Sequence, residues 1–336
     1  MNIIAADVGG TKTRLIKADA SKSGDVLYEA RYECSDFESF EALLKTFFHD
    51  SGSVTGSIET MVLAFPGLVN DTSARLTNLP WIIEKQSLTD NFGVKNIVFM
   101  NDFQASALGT MQLQNEDQVV LNPGILNRDV SGAVTRVAVG AGTGLGVAWA
   151  QEDGPQGHRV THAYHTEGGH IDFAPVDETQ IELLRFLQQR FAHVSYERIL
   201  SGDGLVSLYT FFAAKAGMKQ TVQKATAEWI NNHSQDDEAA DKALSLFVRI
   251  YGAYIGNIAL LFKPRGGIFI TGGIAAKMLE KMQSENFIDA YLNKGRMRVL
   301  VEQIAVYLVT DERVGVLGAM SEAIKMQQTS LQQVSK

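Results

Sequence analysis

Apolar and polar positions fall into short runs separated by glycine turns. The chain opens on Ile3–Ala6, an apolar run ending at Asp7, and resumes after Gly9-Gly10 with loose alternation over Thr13–Ala18. Two such runs around a glycine turn predict a β-hairpin, and Val26–Glu33 predicts a third strand. Phe37–Phe48 has apolar residues at helical spacing. Thr60–Phe65 reads as a strand entering the turn Pro66-Gly67. Ile97–Met100 reads as a strand that stops at Asn101-Asp102, before a short helix over Phe103–Met111. The stretch RVAVGAGTGLGVAWA, from Arg136 to Ala150, repeats the opening order of strand, glycine turn and strand. Its Gly142-Thr143 can be laid on Gly10-Thr11, which suggests an internal duplication with each half starting in a hairpin. Helical patterning then covers Glu178–Phe191, Glu197–Leu200, Gly204–Ala213, Thr221–Asn232 and Asp237–Phe262. Next come a strand over Gly266–Thr271, the turn Gly272-Gly273 and a helix over Ala275–Gln283, then a strand over Ile304–Val309 and a helix over Val314–Gln328. Strands alternating with helices point to an α/β fold.

The glycine turns carry the first chemical signal. A P-loop or dinucleotide fingerprint needs a helix directly after the turn, whereas strands come next here, and Leu145 stands where a third fingerprint glycine belongs. Exposed backbone N–H groups at such turns can form concave sites for anions, and a neighbouring threonine hydroxyl adds a donor. Any one of Gly9-Gly10-Thr11, Gly142-Thr143-Gly144 and Gly272-Gly273 could be a plain chain reversal. Taken as a set, they fit a triphosphate held between two half-molecules. Asp7 either shapes the first turn or holds Mg²⁺ through water beside the phosphates. Asp102 either caps the helix after it or acts as a base on a rigid strand end. HTEGGHIDF holds His165, Glu167 and His170 without metal-ligand spacing, so its glycines suggest a loop closing on a polar ligand. Glu197 is either a surface acid beside Arg198 or part of the same site.

Composition narrows the classes. The 336 residues are 45% hydrophobic and 20% charged, with a formal net charge of −8. That length suits two domains. The acidic balance argues against nucleic acid or an anionic membrane as the main partner. A single cysteine, Cys34, excludes an internal disulfide and a cysteine-rich zinc site. No basic-then-apolar leader is evident, and the apolar stretch Tyr251–Phe262 is interrupted by Asn257 and short for a bilayer span. A cytoplasmic protein is expected.

The motifs DVGGTKTRL, NDFQASALG, GAGTGLGVA, EGGHIDFAP, HVSYERILSGDGL and GGIFITGGI, in this order, resemble the bacterial glucokinases of the non-ROK type, in the hexokinase–actin superfamily. The resemblance covers nearly the whole chain. It implies a two-domain, actin-like (ribonuclease H-like) α/β fold with a cleft between a small domain, residues 1–111 joined by the C-terminal helix 312–336, and a large domain, residues 112–311. It also implies transfer of phosphate from ATP, with Mg²⁺, to the 6-hydroxyl of glucose. Asp102 would be the base, and Asn101, Asp102, Glu167, His170 and Glu197 would hold the sugar. Asp7, Gly9, Gly10, Thr11, Gly142, Thr143 and Gly144 would face the phosphates, and Gly272 and Gly273 the adenosine. A homodimer is expected on the same ground. Lys12 departs from the asparagine usual in these glucokinases, and LTNLPW around Asn78 matches only partly. A broader hexokinase, or a sugar sensor without catalysis, is the alternative.

Overall fold

The computed structural model describes residues 1–22, 24–67, 70–76, 79–125, 132–154, 160–218 and 225–334. Asn78 and residues 221–224, at the start of one expected helix, lie outside them. The first half runs β1 (Asn2–Val8), β2 (Lys12–Asp19), β3 (Asp25–Glu33), α1 (Phe40–Asp50), β4 (Ile58–Phe65), a small ribbon of β5 (Ser73–Arg75) and β6 (Ile82–Glu84), α2 (Lys85–Phe92), β7 (Asn96–Asn101) and α3 (Asp102–Gly109). The second half runs β8 (Gln118–Asn122), β9 (Val134–Ala141), β10 (Leu145–Asp153), β11 (Val160–Thr166), α4 (Glu178–Leu187), α5 (Gly202–Lys215), α6 (Ala227–Asn232) and α7 (Glu238–Phe262). It continues with β12 (Ile268–Thr271), α8 (Gly273–Lys277), α9 (Leu279–Met282), α10 (Glu285–Leu292), α11 (Arg298–Glu302), β13 (Val306–Val309) and α12 (Val314–Val334).

The two main sheets repeat one plan. The first is ordered β3-β2-β1-β4-β7 and the second β11-β10-β9-β12-β13, with β8 added at its far edge. In each, three antiparallel strands are joined by two strands parallel to the first of them. The duplication suggested by the two glycine turns is therefore present in the sheet order itself.

Local sequence explains the elements that support the site. Ser39 caps α1 by accepting the Ala42 N–H, and Phe40, Leu43, Leu44, Phe47 and Phe48 make one buried face against the outer side of the first sheet. Between the sheets lie α3 and α12, packed through small residues such as Ala105, Ala107, Ala319 and Ala323. Gly318 admits the Ala105 carbonyl and Gly109 the Val314 carbonyl, where a side chain would collide with backbone. The second sheet packs against the long α7, whose Tyr251, Tyr254, Ile255 and Ile258 are buried. At 25 residues, α7 exceeds the short apolar stretch seen in the sequence and is long and apolar enough to cross a bilayer, yet two-thirds of its apolar window is buried here. It is the core helix of this half.

Several elements depart from the sequence reading. Glu197 lies in a single 3₁₀ turn, Tyr196–Arg198, because Ser201 starts α5 by accepting the Gly204 N–H and ends the preceding segment. The helix expected over Ala275–Gln283 breaks at Met278 into α8 and α9. Strands β8 and β11 and helix α2 are not marked by the apolar pattern. β11 is an edge strand whose outward positions include Val160 and Tyr164, so it lacks a clean polar face.

Candidate active site

Both hairpin tips open onto one cavity of about 890 Å³. Asp7, Gly9 and Gly10 line it from the first sheet, Asn101 and Asp102 from the end of β7, and Gly142, Thr143 and Gly144 from the second hairpin. Glu167, His170, Glu197, Gly272 and Gly273 complete the set of residues singled out in the sequence. Thr11 and His165 are the exceptions: both are exposed and neither lines the cavity.

The two tips present their backbones alike. Gly9 N–H is used up on the Lys12 carbonyl (2.9 Å) and Gly142 N–H on the Gly144 carbonyl (2.8 Å). Among the described residues, the N–H groups of Gly10, Thr11, Thr143 and Gly144 make no hydrogen bond. Each tip thus keeps two consecutive donors, the arrangement an anion needs. Positive φ occurs at Gly272 (87°) but not at Gly9, Gly10, Gly142 or Gly144. Close approach, rather than backbone conformation, is what glycine provides at the hairpin tips. Lys12 turns its side chain to Glu33 at 3.2 Å on the surface, an exposed pair of small energetic weight.

Asn101 and Asp102 divide two duties that the sequence left open. Asn101 is the cap of α3: its Oδ1 accepts the N–H groups of Phe103 (3.0 Å) and Gln104 (3.2 Å). Its amide NH₂ stays free of that duty. Asp102 Oδ1 also accepts the Phe103 N–H at 2.9 Å. Burial nevertheless raises the Asp102 carboxyl to about 6, against the lowering effect of that bond. Asp7 is raised further, to about 7, first by burial and then by the Asp102 charge, with Arg14 pulling the other way. It sits against Gly315 in the first turn of α12, where an added Cβ would fall 2.4 Å from Oδ2.

The polar residues at the other end come from the segment between β11 and β12. His170 lies 3.7 Å from Glu167 and 3.8 Å from Glu197. Glu197 also reaches the second hairpin, where its Oε2 accepts the Leu145 N–H at 3.0 Å. Helix α7 supports both loops from beneath. Tyr254 donates to the Gly168 carbonyl at 2.8 Å, and Asn257 donates to the Tyr196 hydroxyl at 3.2 Å. Sequence reading missed this buried support, since tyrosines in an apolar helix look like ordinary core. It also missed the junction of β13 and α12, where Thr310, Asp311 and Glu312 line the cavity. A strand-to-helix junction after an apolar run was the available signal.

The doubled sheet, with one cavity lined from both halves, is the plan of solved α/β kinases of sugars to which the chain is similar. The chain is similar over 96% of its length to a crystal structure of glucokinase from an Antarctic psychrotroph, with TM-score 0.80, 27% identity and 98% of that chain covered. A glucokinase structure from Balamuthia mandrillaris, solved in complex with glucose, shares the fold at TM-score 0.76 and 19% identity, covering 96% of this chain and 93% of that one. In sequence, the chain is 32% identical to a curated glucokinase of Nostoc sp. across 94% of this chain and 97% of the relative. The family model described as Glucokinase matches residues 4–326, and the chain belongs to the glucokinase family.

Proposed function

We infer that this protein is a glucokinase, transferring the γ-phosphoryl group of ATP to the 6-hydroxyl of glucose. The observation that carries the mechanism is Asp102: a carboxylate on a rigid strand end, raised by burial to about 6, in one cavity with both donor-bearing hairpin tips. In this reading Asp102 accepts the 6-hydroxyl proton while that oxygen forms its bond to the γ-phosphorus and the bond to the β-phosphate oxygen breaks. ADP leaves with the electron pair. A base with a pKa just below neutrality is ionised at pH 7 yet still takes a proton readily. The free N–H groups of Gly10, Thr143 and Gly144 hold the phosphates and the charge that develops on them. Gly272 and Gly273 lie along the adenosine. Glu167, His170 and Glu197 hydrogen-bond the sugar hydroxyls, and the Asn101 amide joins them.

Mg²⁺ fits this site as a partner of ATP. Among the described residues no cluster of three or more side chains could hold a metal ion alone. Two part-buried carboxylates, Asp7 and Asp102, have raised pKa values that a nearby cation would lower. Magnesium is commonly held by one or two carboxylates plus phosphates and waters, and Asp7 is the residue placed for it. When bound, it would neutralise charge on the transferring phosphate. We divide the chain into a small domain, residues 1–111 with 312–336, and a large domain, residues 112–311, closing over the sugar so that water is a poor acceptor. The test is a coupled assay with ATP and glucose and NMR of the product. One glucose 6-phosphate per ATP consumed is expected. ATP hydrolysis without sugar phosphate, or phosphate on another oxygen, would overturn the reading.

A further inference from the structure

We propose that Phe103 is a positioning residue for phosphoryl transfer, a spacer that sets how far Asp102 reaches toward the second phosphate turn. The inference rests on the reading of Asp102 as base. Phe103 is next in the chain after Asp102, and its N–H is held by both Asn101 Oδ1 and Asp102 Oδ1. Its ring leaves α3 on the side of the second sheet, where Gly140 and Gly146 face each other across the β9–β10 ladder. A Cβ at Gly146 would stand 1.9–2.4 Å from three atoms of the ring, and one at Gly140 would stand 2.8 Å from Phe103 Cε1. Neither glycine has positive φ, so the backbone there accepts other residues. Glycine inside a strand weakens it and often marks close approach. Here the space it leaves is filled by the Phe103 ring.

The location gives that contact its meaning. Gly140 and Gly146 stand two residues before Gly142 and two after Gly144, directly below the turn with the free N–H groups. From its other side α3 meets α12 through backbone, with Gly318 against the Ala105 carbonyl and Gly109 against the Val314 carbonyl. The helix bearing the base is therefore held against α12 through backbone, and on the second-sheet side its first turn is seated by the Phe103 ring, beside Gln104, which donates to the Ala163 carbonyl at 2.9 Å. Shortening the ring frees the start of α3 to shift, and with it the Asp102 carboxylate. Substrate-binding groups on the loops after β11 stay in place.

The expected signature is a split between turnover and binding. In the purified full chain, Phe103→Leu should lower kcat about 10-fold or more and Phe103→Ala about 10²-fold, the scale of an ångström-sized misplacement, with ATP KM little changed and glucose KM, which Asn101 shares in, changed by much less than kcat. Gly146→Ala, which forces the ring out of its seat, should lower kcat in the same way. Adding Phe103→Leu to Gly146→Ala should recover part of it. In an Asp102→Asn background, Phe103→Leu should cost little further turnover, since no base remains to misplace. Thermal melts identify the folded variants, and Phe103→Leu keeps the test available if Phe103→Ala does not fold. Wild-type kcat in folded Phe103→Leu would overturn the spacer, as would a loss confined to KM or a full additive loss on top of Asp102→Asn. Wild-type turnover in Asp102→Asn would instead sink the base assignment itself, so the two failures are separable.

Discussion

The two hairpins of this molecule are alike in backbone and unlike in the chain that each leads into. In the first sheet, β3 and β4 are joined by residues 34–57, a short connection carrying α1 on the outer face. In the second, β11 and β12 are joined by residues 167–267, and that long segment supplies Glu167, His170, Glu197 and the core helix α7. One fold unit, used twice, gives two similar hairpin tips with free N–H groups, which we read as phosphate donors. In the proposed reading the base, Asp102, and one sugar contact, Asn101, sit where β7 meets α3 in the first half, while the remaining sugar contacts come from the insertion in the second. On that reading phosphate binding derives from the shared plan, whereas the choice of acceptor derives largely from the segment inserted into one copy. Glu197 is the residue where the two duties meet, because it touches both His170 and the second hairpin.

Breaking each side of that comparison should give a distinct phenotype. The largest effect belongs to Asp102→Asn, which should lower kcat about 10²–10⁴-fold with a smaller change in glucose affinity, read by steady-state kinetics. Next is Gly142→Val. A Cβ at Gly142 meets no protein atom within 4 Å, so the side chain enters the space left for phosphate without disturbing the fold. Nucleotide titration should show ATP affinity weakened about 10–150-fold, the worth of lost hydrogen bonds to a charged group, with glucose binding kept. Smaller still is Tyr254→Phe. It removes the hydroxyl that holds the Gly168 carbonyl and should raise glucose KM about 2–12-fold while ATP KM stays.

The smallest effect concerns stability, and its sign is set by the buried carboxylates. Folding raises Asp102 to about 6 and Asp7 to about 7, so the folded chain holds more protons than the unfolded chain between about pH 4 and pH 7. Stability from these groups is fullest below the unfolded carboxylate value and is lost as pH rises through the folded values. Asp102→Asn should therefore be more stable than the wild type at pH 8, by about 1–2 kcal/mol in denaturant unfolding, with the gain fading near pH 4. A loss of stability at pH 8 would contradict the raised value.

Much of this was legible in the sequence, for physical reasons that can be named. Glycines between apolar runs, and a strand stopping at Asn-Asp, are local signals, and they located both hairpin tips and Asp102. Which of Asn101 and Asp102 caps α3 was not legible, because both side chains suit the position and only the geometry shows Asn101 taking both N–H groups. The pairing of Phe103 with Gly140 and Gly146 was hidden too, since it joins residues from the two sheets through space. Edge strand β11 lacked alternation, and the helix after Gly273 breaks at Met278, a buried position with no glycine or proline to mark it.

The division of labour between the two halves is tested most directly by His170→Ala, with glucose and ATP both varied. His170 lies between Glu167 and Glu197 in the inserted segment and touches neither hairpin tip by ion pair or hydrogen bond among the described residues. Glucose KM should rise about 5–150-fold, the cost of leaving buried sugar hydroxyls without a partner, while ATP KM at saturating glucose moves little. An unchanged glucose KM, or an ATP KM that rises as much, would contradict the account.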